Sequence, residues 1–218
     1  MTTRVKICCI ASRAEAALAI HHGAAAIGLV SQMPSGPGVI PDERIAEIAA
    51  RVPPGVSSFL LTCRQDVAEI IGQQRQAGVN TLQLCDRLEV GTYRDLRSAL
   101  PGIALVQVVH VMDPGAVDEA IAASPHVAAL LLDSGNPTLA VKELGGTGRV
   151  HDWNLSRRIR DAVDVPVFLA GGLKPENVGE AIRQVRPYGV DLCTGVRTDG
   201  RLDEDKLAAF FAAVRQAA

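Results

Sequence analysis

Eight short apolar runs alternate with eight segments of helical spacing, and this repeat constrains the fold more than any other feature of the chain. The runs are RVKICC, AAIGLVS, SSFLLTC, NTLQLC, ALVQVVH, VAALLLD, VPVFLA and GVDLCTG. Nearly every position in them is apolar, which is typical of parallel strands that are buried on both faces. The segments between them place apolar residues three and four positions apart, as helices with one buried stripe do. The chain therefore reads as a series of β/α units.

The number of units favours a closed barrel. Eight β/α units predict an α/β protein whose residues 1–218 form a single (β/α)8 barrel, or TIM barrel, domain. An open, doubly wound sheet is the alternative, but CCIAS stands where that fold has a GxGxxG turn after its first strand. Barrel enzymes carry their reactive side chains at the carboxyl ends of the strands, so polar residues that end an apolar run become candidates for chemistry.

Composition narrows the classes of partner. The formal net charge is −2 and no basic run occurs, so we expect no nucleic-acid partner. The apolar stretches are far shorter than the roughly 20 residues of a membrane helix, and the N-terminus shows no signal-peptide pattern. The five cysteines lie mostly in apolar runs and do not suggest a disulfide framework. We therefore expect a cytoplasmic protein that binds no membrane.

The first helix carries its own start signal. Ser12 is followed by Glu15 three residues later, which predicts a capping box at the N-terminus of this helix.

Asp133 ends the sixth apolar run. An inward-pointing carboxylate there would face a pocket at the barrel rim, where burial raises its pKa. A helix-capping or loop aspartate is the competing interpretation, and the residue alone favours it. The histidines suggest less, and His110 at the end of the fifth run is predicted to be structural.

Three glycine-rich stretches lie where a barrel binds its substrate. The longest connection contains Gly145, Gly146, Thr147 and Gly148, which predict an active-site lid, with a merely flexible connector as the alternative. The seventh and eighth runs end in LAGGL and GVDLCTGV. These loops often bind phosphate through backbone N–H groups. The predicted phosphate-binding residues are Gly171, Gly172, Cys193, Thr194 and Gly195.

Two adjacent cysteines end the first run. Cys8 and Cys9 lack the spacing of a metal or dithiol motif, so we expect no metal site. Because successive strand residues point to opposite faces, one of the pair should face the barrel mouth and the other the helices. At most one of them is then functional. Cys63 is predicted to lie in the core, and Cys85 at the rim has no evident role.

These motifs together resemble phosphoribosylanthranilate isomerase, an enzyme family of tryptophan biosynthesis. The matching stretches are VKIC, LLLDS, GGTG with a following DW, LAGGLKPENV, and GVDLCTGV with DGRLDEDKL, in the family's order. The resemblance implies an Amadori rearrangement of a phosphorylated sugar-amine without cofactor or metal. It assigns the general base to Cys8 and the general acid to Asp133. Cys8 would then face the pocket, and Cys9 would pack outward.

The chain departs from the family pattern at four positions. Cys9 replaces a glycine, Cys85 replaces a histidine, and Arg197 brings a positive charge near the phosphate loop. Gly38 stands where the family usually has an arginine that pairs with the anthranilate carboxylate. Loss of that pairing costs about 1.5–3 kcal/mol of substrate binding.

The sequence leaves three functions open. The first is the isomerase of the family. The second is a divergent paralogue that acts on another phosphoribosyl-amine, which the loss of the arginine favours. The third is a catalytically silent barrel that binds a phosphate ligand, against which the retention of Cys8 and Asp133 argues. The pattern is compatible with a monomer or a homodimer.

Overall fold

A computed structural model describes residues 3–217 of the chain. Eight strands run parallel to one another and close into a barrel in sequence order, with β8 paired to β1. The predicted barrel is therefore confirmed. The strands are β1 (Arg4–Ile7), β2 (Ala26–Val30), β3 (Ser57–Thr62), β4 (Thr81–Leu84), β5 (Ala104–His110), β6 (Ala129–Asp133), β7 (Val167–Leu169) and β8 (Gly189–Leu192).

A helix follows every strand and covers the outside of the barrel. The helices are α1 (Arg13–His21), α2 (Asp42–Ala49), α3 (Val67–Ala77), α4 (Tyr93–Ala99), α5 (Ala116–Ala123), α6 (Trp153–Ala162), α7 (Val178–Val185) and α8 (Glu204–Ala217). A short hairpin, β9 (Arg197–Thr198) and β10 (Arg201–Leu202), lies between β8 and α8. Every helix among residues 3–217 falls short of the length and hydropathy that a membrane-spanning segment requires.

Strand alternation divides the apolar residues into two cores. On β6, Leu130 and Leu132 belong to the large core between sheet and helices, whereas Ala129 and Leu131 belong to a smaller core inside the barrel. Asp133 continues the inward series at the carboxyl end of the strand. The fold therefore directs this carboxylate towards the mouth.

The start of α1 differs slightly from the capping box that the sequence predicts. The Ser12 hydroxyl accepts a hydrogen bond from the backbone N–H of Glu15 at 3.2 Å, as expected. The Glu15 carboxylate, however, accepts from the N–H of Ala11 at 2.9 Å and not from that of Ser12. It reaches further because it also accepts a hydrogen bond from Arg197.

Candidate active site

A pocket opens at the carboxyl ends of the strands. It is lined by residues of β2, β3, β4, β6 and β8 and by the segments that follow β1, β2, β4, β6, β7 and β8. Most of the predicted site residues meet here. They are Cys8, Asp133, Gly145, Gly146, Thr147, Gly148, Gly171, Gly172, Cys193 and Thr194.

A buried thiol, that of Cys8, and a buried carboxyl, that of Asp133, face this pocket. Burial raises the pKa of the Cys8 thiol to about 11, and the nearby ammonium of Lys6 opposes that rise. Burial also raises the pKa of the Asp133 carboxyl, although the N–H of Ser134 donates a hydrogen bond to it at 2.7 Å. The raised pKa keeps the Asp133 carboxyl protonated to higher pH than usual, so it is suited to donate a proton, while Cys8 in its thiolate form can accept one.

The connection between β6 and α6 folds over the mouth. Gly145 adopts φ +135, and an ideal Cβ on it would lie 2.6 Å from Oδ2 of Asp133. Only glycine therefore allows the connection to approach the carboxylate this closely. The hydroxyls of Ser134 and Thr147 are hydrogen bonded at 2.7 Å, and Lys142 pairs with Asp86 at 2.5 Å. These contacts hold the connection across the pocket.

The turns after β7 and β8 also line the pocket, next to the β6–α6 connection. Gly171 and Gly172 have φ +82 and +62, and a side chain on Gly172 would overlap the backbone of the β6–α6 connection. Thr194 lines the pocket and begins a single 3-10 turn. Gly195 does not line it, because it packs against the carbonyl of Leu173. The predicted phosphate site thus includes one residue that lies behind the surface.

Cys9 and Cys193 form a disulfide across the closure between β1 and β8, with their Cα atoms 5.7 Å apart. Two expectations are therefore wrong: the cysteines do include a disulfide, and Cys9 does not pack outward. The reason is local. Cys9 lies just beyond the end of β1 with φ +60, so the alternation of strand faces no longer applies to it. Its side chain turns back to the pocket and reaches the neighbouring strand end.

The other cysteines remain free thiols. Cys63 is only half-buried and contacts the carbonyl of Gln32 at 3.1 Å, so the prediction that it lies in the core is wrong. It falls one residue past the end of β3, where the chain leaves the barrel wall. Cys85 is buried and lines the pocket, and burial raises its pKa. The ring of His110 contacts the carbonyl of Cys85 at 3.1 Å and does not line the pocket.

Gly38 adopts φ +81, and the space a side chain would enter there is filled by Cys9. The wall of the pocket is formed instead by Ser35, Gly36 and Pro37. Among the described residues that line the pocket, none is Lys or Arg. The described lining of the pocket therefore carries no lysine or arginine cation.

Arg197 does not direct its charge at the predicted phosphate turn. Its guanidinium donates to the Glu15 carboxylate at 2.8 Å and to the carbonyl oxygens of Cys9 at 2.7 Å and Cys8 at 3.3 Å. Both charged side chains are largely buried. The departure at position 197 thus braces the loop that follows β1.

Sequence reasoning missed one charged pair inside the barrel. The ammonium of Lys6 binds Asp191 at 2.9 Å, and both residues are buried. The sequence signal for this pair was a charged residue at an inward-facing position of each of two otherwise apolar strands. Among the described residues, no three His, Cys, Asp or Glu side chains gather in a way that could hold a metal ion.

Comparison with known proteins agrees with this arrangement. A family model described as N-(5'phosphoribosyl)anthranilate (PRA) isomerase matches residues 5–213. N-(5'-phosphoribosyl)anthranilate isomerase 2 of Methanosarcina mazei is 40% identical over 209 residues, which cover 95% of this chain and 92% of the relative. The corresponding enzyme of Haloferax volcanii is 38% identical over 217 residues, which cover 99% of this chain and 94% of the relative.

Solved structures agree as well. Phosphoribosyl anthranilate isomerase from Thermotoga maritima superposes with a TM-score of 0.82 at 28% identity, covering 98% of this chain and 99% of that one. A phosphoribosyl anthranilate isomerase in complex with reduced 1-(o-carboxyphenylamino)-1-deoxyribulose 5-phosphate has a TM-score of 0.79 at 26% identity, with the same coverage. The chain belongs to the family of N-(5'-phosphoribosyl)anthranilate isomerases.

Proposed function

We propose that the protein converts N-(5-phosphoribosyl)anthranilate into 1-(o-carboxyphenylamino)-1-deoxyribulose 5-phosphate, a step of tryptophan biosynthesis, with Cys8 as general base and Asp133 as general acid. The observation that carries the proposal is the placement of a buried thiol and a buried carboxyl in one pocket of a barrel from this family. Both groups end inward-facing stretches of strand, so the barrel wall holds them in position.

The two groups account for the whole rearrangement. Asp133 protonates the ring oxygen of the sugar, and the ring opens to a protonated Schiff base. The Cys8 thiolate removes the proton from C2′ and produces an enolamine. The enolamine gains a proton at C1′ from the Cys8 thiol and gives the hydroxyl proton at O2′ to the Asp133 carboxylate, which yields the ketone and restores both side chains.

The remaining lining residues suit a phosphorylated sugar. Gly171, Gly172 and Thr194 present main chain at glycine-containing turns, and such turns bind phosphate through their N–H groups. Gly145, Gly146, Thr147 and Gly148 cover the substrate and exclude water from the Schiff base. In this assignment Cys193 and Gly195 shape the phosphate turn, the first through its disulfide and the second by packing behind it.

We propose a cytoplasmic enzyme whose partner is this small-molecule substrate. A monomer and a homodimer both remain compatible with the chain. One of the solved structures that this chain resembles consists of monomers generated from the dimeric Thermotoga maritima enzyme.

A divergent paralogue is the second candidate, and one observation favours it. Gly38 replaces the arginine that the family resemblance leads us to expect, and the described pocket lining holds no Lys or Arg. An anthranilate carboxylate would find no cation in this wall. A phosphoribosyl-amine with an uncharged aglycone fits such a wall equally well.

The deciding experiment mixes purified protein with phosphoribosylanthranilate generated in place and follows the loss of its fluorescence. Turnover by the wild type that is absent in Cys8→Ala supports the proposed reaction. If the wild type shows no turnover but a ribose phosphate raises its melting temperature, the anthranilate reaction is rejected, and other phosphoribosyl-amines become the next substrates to assay.

A further inference from the structure

The Lys6–Asp191 ion pair lies buried inside the barrel, where desolvation of its two charges costs free energy. The Lys6 side chain has no solvent-exposed surface, and its Nζ lies 2.9 Å from Oδ1 of Asp191. The surrounding core is apolar, and the lysine ammonium lies 5.1 Å from the ring centre of Phe59. Desolvating two charges commonly offsets the attraction between them, so such a pair stabilises a fold no better than apolar residues do. Stability alone does not explain its presence.

The ammonium lies directly below the Cys8 thiol. Lys6 and Cys8 are two residues apart on the first strand and its extension, so their side chains share the inner face. An ideal Cβ on Gly28 would lie 2.8 Å from Sγ of Cys8 and 3.1 Å from Nζ of Lys6. The two atoms therefore flank the same small space, within the roughly 4–6 Å over which an opposite charge stabilises an ion. Glycine at position 28 leaves this space open.

The other ionisable groups near Cys8 act in the opposite sense. Burial disfavours a negative charge on the sulfur, and so do Asp191 on β8 and Asp133 on β6. Lys6 is the cation among these described groups. Its own charge is secure, because the carboxylate of Asp191 raises the pKa of Lys6 despite complete burial.

We propose that Lys6 is a positioning residue for the isomerisation: its ammonium group, held by Asp191, stabilises the thiolate of Cys8 that removes the C2′ proton. This inference rests on the proposed function. Asp191 keeps Lys6 charged and in place. Because Gly28 has no side chain, no atom of that residue fills the space beside the sulfur and the ammonium. Lys6 itself does not line the pocket and acts through Cys8.

The test measures the thiolate directly. Wild type and Lys6→Met are treated with iodoacetamide between pH 7 and 10, and modification of Cys8 is followed by peptide mapping. We expect Lys6→Met to react about tenfold more slowly or worse at each pH, since each unit of raised pKa removes a factor of ten in thiolate. Its kcat on phosphoribosylanthranilate should fall in parallel, while KM changes little. Lys206→Met on the exposed start of α8 makes the same change in net charge and should leave Cys8 reactivity as in the wild type.

A second variant guards against simple misfolding. Lys6→Met leaves Asp191 buried without a partner, so Lys6→Met/Asp191→Asn is made as a neutral pair that retains the fold. This double variant should react more slowly than the wild type but faster than Lys6→Met. Wild-type reactivity of Cys8 in either folded variant overturns the proposal. The alkylation does not depend on turnover, so a wild type that lacks isomerase activity rejects the proposed function separately.

Discussion

Cys9 occupies the space into which a side chain on Gly38 would extend. An ideal Cβ on Gly38 would lie 2.9 Å from both Cα and Sγ of Cys9, and it would overlap Cβ as well. Both residues have positive φ, +60 for Cys9 and +81 for Gly38. The two departures from the family pattern, Cys9 and Gly38, are therefore structurally linked, because only one of the two positions has room for a side chain.

This relationship predicts strong coupling between the two positions. Gly38→Arg alone should lower the free energy of unfolding by about 2–4 kcal/mol, because it adds both overlap and left-handed strain. Cys9→Gly should relieve the overlap, giving a coupling energy of about 1–3 kcal/mol in a double-mutant cycle. Urea unfolding of the four proteins measures it.

The control separates the overlap from the lost disulfide. Cys193→Ser also removes the disulfide but keeps the Cβ of Cys9, so Cys193→Ser/Gly38→Arg should not be rescued. Equal rescue in both double variants would contradict the steric account. With Cys9→Gly/Gly38→Arg, KM for phosphoribosylanthranilate should fall, because the new guanidinium can pair with the carboxylate.

Removal of either proposed catalytic group should abolish turnover. Cys8→Ala and Asp133→Asn are each expected to lower kcat by about 10²–10⁴-fold or more, since each removes a proton-transfer partner. Circular dichroism and melting temperature should remain close to wild type. Cys63→Ser, which changes a half-buried thiol outside the pocket lining, should keep its rate. A near-normal rate in Cys8→Ala would show that Cys8 is not the general base.

The pH dependence should be broad. The active form has Asp133 protonated and Cys8 ionised. The form with Asp133 ionised and Cys8 protonated carries the same number of protons, so pH does not change the ratio of the two forms. The fraction of the active form is therefore constant between the two pKa values. We expect kcat/KM to fall below the raised pKa of Asp133 and above about 11, the pKa to which burial raises the Cys8 thiol. An alkaline limb near that of an ordinary free thiol would contradict this.

Reduction should loosen the barrel closure. The Cys9–Cys193 disulfide joins residues 184 positions apart, so its loss is expected to lower the free energy of unfolding by about 2–4 kcal/mol. Thermal melts with and without dithiothreitol measure the change. In Cys193→Ser, dithiothreitol should have no further effect. Alkylation of the denatured, unreduced protein should label Cys8, Cys63 and Cys85, and label on Cys9 would show that the bridge is absent.

The ion pair between Arg197 and Glu15 should contribute to stability in a pH-dependent way. Burial acts to raise the pKa of Glu15, but hydrogen bonds, first that from Arg197, hold it below its usual value of 4.5. Such a lowered pKa stabilises the fold above the unfolded value, and that stability is lost as the pH falls. Arg197→Ala should cost about 3 kcal/mol at neutral pH.

The difference between wild type and Arg197→Ala should then narrow below pH 4.5. Urea unfolding across this range measures it, and Arg197→Lys, which keeps the charge but not the paired hydrogen bonds, should lie between the two. A difference that is constant with pH would show that the arginine stabilises by packing alone.

Local pattern was sufficient for the barrel, because strand burial on both faces and eight repeats predicted the topology. The period of two along a strand predicted that one of Cys8 and Cys9 faces the mouth. Only the resemblance to the family assigned Cys8 and Asp133 to the site. The same rule failed for Cys9, because it lies two residues past the end of β1, where the backbone turns to φ +60.

The sequence by itself determined the order of strands and helices, the glycine-rich loops and the family, since these depend on near neighbours and on motif order. Only the tertiary structure decided that Cys9 bonds to Cys193, that Arg197 binds Glu15, and that Lys6 pairs with Asp191. Each of these contacts joins residues more than 180 positions apart. They exist because the closure of the barrel places β8 beside β1, and no local propensity records which side chains meet across that seam.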